Sequence, residues 1–219
     1  LANDIDTTVI DQKSAHLALR VNFLPVLASI SKTKNRPLTD YQWVSVEALQ
    51  VQWLMGWFKR WFCHRDTILV KGEHEPEYFA ATDTEPAKIV FAHGFFASAL
   101  HEISHWCMAG QKRRLLNDFG YWYAPDGRNE QQQQQFEQVE ILPQAIECLL
   151  TLACNKPFSV SKDNLFADFD TSQSTFEADV QAQAVKFWQT GQKLSTDAKV
   201  LLSQLTKLRP LPLTAFHIY

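Results

Sequence analysis

The chain has 219 residues, with 46% hydrophobic and 21% charged residues, which suits one large water-soluble domain, or a domain with an extension, able to bury a sizeable core. The formal net charge of −3 gives no global attraction to nucleic acid or to an anionic membrane surface. No apolar run is long enough to span a bilayer, and the opening Leu1-Ala2-Asn3-Asp4 lacks the basic stretch of a signal peptide. Cys63, Cys107, Cys148 and Cys154 show no paired metal-binding spacing, so buried reduced thiols in a cytoplasmic protein are expected.

Residues 1–38 have weak periodicity and end in a linker-like Lys32–Pro37 stretch, so they are read as an N-terminal extension to a domain over 39–219. Thr39 or Asp40 is placed to cap a helix to about Trp61, with Trp43, Val46, Leu49, Trp53 and Trp57 as its apolar stripe. Thr67–Val70, Tyr78–Ala81 and Lys88–Ala92 read as strands, with Pro76 and Pro86 between them. A helix follows from about Phe95 to Ala109, closed by Gly110, with Phe96, Leu100, Ile103 and Cys107 facing the core. Phe119–Tyr123 is expected as a further strand and Pro125–Arg128 as a turn. The Gln131–Gln135 run reads as a solvated helical turn or a mobile loop. Pro143 is expected in the first turn of a helix to about Ala153, with Ile146, Leu149, Leu150 and Ala153 inward. Helices over Thr175–Thr190 and Ala198–Leu208 complete an α+β layout: a compact mixed domain with a sheet of about four strands flanked by helices.

The chemistry concentrates in His101-Glu102-Ile103-Ser104-His105. Residues four apart lie one turn apart on the same helix face, so both imidazoles can reach one ion, and His101 and His105 point away from the apolar stripe. Imidazoles suit zinc, iron, nickel or copper rather than magnesium or calcium. A third ligand must come from elsewhere, because Met108 stands where the metzincin extension needs glycine and no histidine follows at the extension's position. Glu137 and Glu140 are the leading candidates. Glu140 is preferred for its closeness to the expected helix start, with Glu137 orienting a histidine or a bound water. His93, at a strand end, is a further candidate. Glu102 is either the general base of a zinc-dependent peptidase or nuclease, or a supporting or substrate-binding carboxylate in an iron oxygenase.

The stretch Ile89–Cys107 closely resembles the bacterial elongation factor P hydroxylase family. Asp118–Tyr123, Pro125–Arg128, Phe136–Glu140, Pro143-Gln144-Ala145, Pro157–Val160 and Asp163–Leu165 resemble it as well, over about residues 45–190. The resemblance implies an iron-dependent hydroxylase acting on the β-lysylated lysine of elongation factor P, with Fe(II), or another divalent transition metal in its place, and dioxygen as co-substrate. It implies His101, His105 and Glu140 as ligands and a fold like that of the metal-dependent YbeY-like ribonucleases. For the cationic substrate side chain it suggests a slot, for which Trp106, Asp118, Tyr121, Trp122, Tyr123 and Glu102 are candidates by proximity. Lys112-Arg113-Arg114 is a candidate contact to the protein partner; neither nucleic acid nor a membrane is expected as one.

Overall fold

The computed structural model describes residues 40–120, 127–162 and 174–208. In chain order these form α1 (Asp40–Phe62), β1 (Thr67–Lys71), β2 (Glu77–Phe79), β3 (Ala87–Phe91), α2 (Phe96–Arg113), α3 (Glu130–Ala153), α4 (Phe176–Thr190) and α5 (Thr196–Leu208). The α+β class is as expected. Among the described residues the sheet has three strands in the order β1-β3-β2, rather than about four. The expected fourth strand fails at its start: Phe119 has φ 56° and sits in a tight turn, Asn117–Gly120, stacked on Tyr78 at 4.1 Å between ring centroids. A strand needs extended backbone, which that φ denies. Tyr121–Tyr123 lie outside the described residues.

β3 is central, parallel to β1 and antiparallel to β2. Its burial alternates, with Ala87, Ile89 and Phe91 buried, because successive side chains take opposite faces of the sheet. Beyond Phe91 the chain turns through Ala92–Gly94 directly into α2, so the central strand aims the helix that carries the histidines.

The apolar stripe of α2 is buried as read, at Phe96, Leu100, Ile103 and Cys107. That of α1 is rotated from the expected one: Val51, Leu54, Phe58 and Phe62 are buried, whereas Leu49 is 52% exposed. Several aromatic residues crowd this helix, and the Trp spacing alone suggested the wrong face. Trp57 is core in either reading. Phe58 and Phe62 meet Trp106 edge-on at 5.4 and 5.0 Å. Trp106 is therefore a fully buried core residue and not part of a substrate slot.

The largest correction concerns α3. The glutamine run lies inside the helix, which Asn129 and Gln132 start with a reciprocal capping box. Pro143 is an interior residue of that helix. Proline lacks an N–H and so removes one rung from the ladder, but a long, well-packed helix tolerates the loss. Ile146, Leu149, Leu150 and Ala153 are buried as expected.

Both ends of α2 are held by other elements. The Phe96 N–H donates to Glu47 Oε1 of α1 at 2.7 Å, an N-terminal cap supplied from a distance. At the other end Gly110 leaves the helical region with φ 68° and ψ 172°. Arg114 then folds back: its Nε and Nη2 donate to the Trp106 carbonyl, its guanidinium lies 3.6 Å from the Trp106 ring centroid, and its Nη1 pairs with Asp197 of α5 at 2.7 Å. Of the basic trio, Arg114 is thus a structural clamp, and Arg113 donates to the Phe119 carbonyl. Asp118 is likewise structural, accepting from the Tyr78 N–H at 2.9 Å. All four cysteines are free thiols. Cys63 is exposed rather than buried, while burial pushes Cys148 and Cys154 up to about 12, beyond easy ionisation.

A residue with a side chain is strained at the φ and ψ of Gly110, although open space surrounds it. Gly110→Ala is expected to cost about 1–3 kcal/mol of unfolding free energy. Urea denaturation followed by circular dichroism measures this; a loss below about 0.5 kcal/mol contradicts the role given to the glycine.

Candidate metal centre

α2 and α3 pack side by side, and each presents one polar row to the other. On α2 the row is His101 and His105, four residues apart. On α3 it is Glu140, Gln144 and Glu147, at steps of four and three. Glu140 and Gln144 are 2% and 0% exposed, so the row is enclosed. A buried carboxylate requires a compensating charge or hydrogen bonds. The imidazoles opposite provide them.

The donors converge. His101 Nε2 and His105 Nε2 lie 3.0 Å apart. Glu140 places Oε1 3.4 Å from His105 Nε2 and Oε2 3.8 Å from His101 Nε2. One ligand atom from each of the three falls within 4.8 Å of the others. Two donors bound about 2.1 Å from one ion at roughly a right angle stand about 3 Å apart, so the spacing fits a shared transition-metal ion. Two nitrogens and one carboxylate are also a donor set for such a metal that leaves positions open.

Electrostatics agree with a cation-shaped gap. Burial alone pulls His101 down, but the hydrogen bond and charge of Glu147, with Glu102 and Glu140, raise it to about 10. Burial works to raise Glu140, yet His105, His101 and the Gln144 amide bring it down to about 2. Glu140 is thus an anion at neutral pH and faces the two imidazoles across the place that a metal would take. Burial raises Glu102, with partial relief from His101 and His105.

The remaining candidates fall elsewhere. Glu137 accepts hydrogen bonds from Ser174 Oγ at 2.7 Å and Gln133 Nε2 at 3.2 Å, one helical turn from Glu140. His93 is exposed on the turn before α2 and lies against Phe95. Two participants were missed in the sequence. Glu147 Oε2 is 2.8 Å from His101 Nδ1. Gln144 bonds the Ser161 backbone in both directions and donates to Glu140 Oε2 at 3.3 Å. The available signal was two polar residues in an otherwise apolar helix, at helical steps from Glu140. Starting that helix at Pro143 hid the register.

Comparison with known proteins adds a family. The model of elongation factor P hydroxylases matches residues 57–212. The chain belongs to this family. A curated relative, the elongation factor P lysine hydroxylase of Haemophilus influenzae, is 54% identical over 101 residues, which is 46% of this chain and 57% of the relative. The match therefore spans less than two thirds of that relative's length. Within this member of the hydroxylase family, the family match extends over both helices that build the histidine–carboxylate cluster.

Because His101 holds its extra proton up to about pH 10 and a metal needs Nε2 bare, uptake of a divalent ion at pH 8 is expected to release a proton. Affinity then falls about tenfold for each pH unit lowered below that value, as proton and metal compete for one atom. Titration calorimetry in buffers of different ionisation enthalpy reads the proton count; a count of zero contradicts the competition.

Proposed function

We propose that this chain is a non-heme, metal-dependent hydroxylase that acts on the β-lysylated lysine of elongation factor P. The observation carrying the proposal is the convergence of His101, His105 and Glu140 in a chain of the elongation factor P hydroxylase family. The lysine hydroxylase named in Haemophilus influenzae supports the substrate and the protein partner. Fe(II) is the proposed metal and dioxygen the co-substrate. Bound by two imidazoles and one carboxylate, Fe(II) would supply dioxygen activation at positions the protein leaves open.

The protein's own share is holding and excluding. His101 and His105 on one helix fix two donors at a constant separation. Glu140 adds the negative charge, and the Gln144 amide restrains its carboxylate. Glu102, next to His101, is proposed as the carboxylate that receives the cationic substrate side chain. Glu137, held by Ser174 and Gln133, is proposed to support the Glu140 turn of α3. Insertion of one oxygen atom into a C–H bond, with the other leaving as water, takes two electrons and two protons, so an external reductant completes the reaction.

The same reading takes residues 1–38 as an extension to a hydroxylase domain over 39–219, with the fold likened to that of YbeY-like ribonucleases. No helix among the described residues is long and apolar enough to cross a membrane, which suits a cytoplasmic enzyme meeting a translation factor.

The test is anaerobic loading with Fe(II), followed by oxygen, a reductant and β-lysylated elongation factor P. Mass spectrometry is expected to show a gain of one oxygen on the factor. His101→Ala and Glu140→Ala are expected to lose metal and product together, whereas Glu137→Ala keeps its metal. Oxygen-independent hydrolysis with Zn(II) and no mass gain would instead make the chain a zinc hydrolase with Glu102 as base.

A further inference from the structure

Glu147 is a carboxylate in a place where apolar residues are the rule. Its neighbours Ile146, Cys148, Leu149 and Leu150 are all buried, and it is itself 8% exposed. Such a group requires a strong partner. Among the described residues its one hydrogen-bond partner is His101, through Nδ1 at 2.8 Å. An ionised carboxylate only accepts, so the proton of this bond belongs to His101 Nδ1. The opposite ring nitrogen, Nε2, is the one that faces His105 Nε2 and Glu140.

We propose that Glu147 is a positioning residue for the metal centre: by accepting the Nδ1–H of His101 it selects the tautomer and ring orientation that aim the Nε2 lone pair at the ion. The proposal rests on the reading of His101, His105 and Glu140 as a metal site. Glu147 is not itself a fourth ligand, since it bonds the side of the imidazole turned away from the convergence point. The control is asymmetric: among the described residues a carboxylate bonds the Nδ1 of His101, and none bonds the Nδ1 of His105. Helix register supplies the lock together with the ligand. Glu140 and Glu147 are seven residues apart, two turns of α3, so a single helix both donates to the ion and fixes the imidazole opposite.

The test uses the full chain and Co(II), whose visible absorption reports coordination and whose affinity is read by competition with a chelator. Glu147→Ala is expected to weaken Co(II) binding by about 10–100-fold. Glu147→Gln, whose amide oxygen still accepts the Nδ1–H, is expected to recover most of that loss with a wild-type spectrum. His101→Ala and Glu140→Ala serve as site controls. If they bind Co(II) like wild type, the metal-centre reading itself fails. If they lose Co(II) while Glu147→Ala keeps wild-type affinity and spectrum, only the positioning role is overturned. Should Glu147→Ala not fold, two measurements still decide. Glu147→Gln losing as much affinity as a ligand variant overturns the role. So does a nitrogen-15 spectrum of the Zn(II)-loaded wild-type protein that places the His101 proton on Nε2.

Discussion

The packing of α2 against α3 sets the terms for the whole molecule. Two imidazoles on one helix face two carboxylates and the Gln144 amide on the other, among the buried apolar side chains of both helices. Neither row is stable in that setting alone. A buried carboxylate without a partner is costly by several kcal/mol, and so is a buried imidazolium. Each row therefore requires the other at a fixed separation, and a cation between them satisfies both. The apolar surroundings strengthen these interactions, because little water competes for the charges.

The surrounding fold reads as the means of holding that separation. The central strand β3 delivers the chain to the start of α2. Trp106, just past His105, packs edge-on against both Phe58 and Phe62. The segment after α3 returns along it, where Gln144 clasps the Ser161 backbone while touching Glu140. One ligand carboxylate is in this way tied to both its own helix and the chain beyond it.

Much of this was legible in the sequence where one local rule decided. The period of Phe96, Leu100, Ile103 and Cys107 fixed the buried face of α2 and hence where His101 and His105 point. Gly110 marked the break shortly before that helix ends, because few other residues adopt its backbone angles. Legibility failed where local rules compete with packing. Pro143 carries a start signal, yet the apolar face continuing on both sides of it makes one long helix. Phe119 has a strand-forming side chain, but its contact with Tyr78 holds it in a turn. On α1 the spacing of Trp43, Trp53 and Trp57 suggested a stripe, but the core is faced by Val51, Leu54, Phe58 and Phe62 together with Trp57. Glu147 was hidden for a related reason: its partner lies 46 residues away, and no local pattern announces a carboxylate that answers a histidine.

The two distant anchors of α2 have a consequence for how sequence change acts on the centre. Glu47 secures the first turn, and Arg114, braced by Asp197, secures the region just past the last. The histidine-bearing shaft is seated at both ends, like an axle in two bearings, and has little freedom to slide along its axis. Substitutions in the neighbouring loops then alter who reaches the two imidazoles far more than how far apart they stand. Family members can in this way diverge in the partner surface they present while keeping one unchanged donor spacing beneath it.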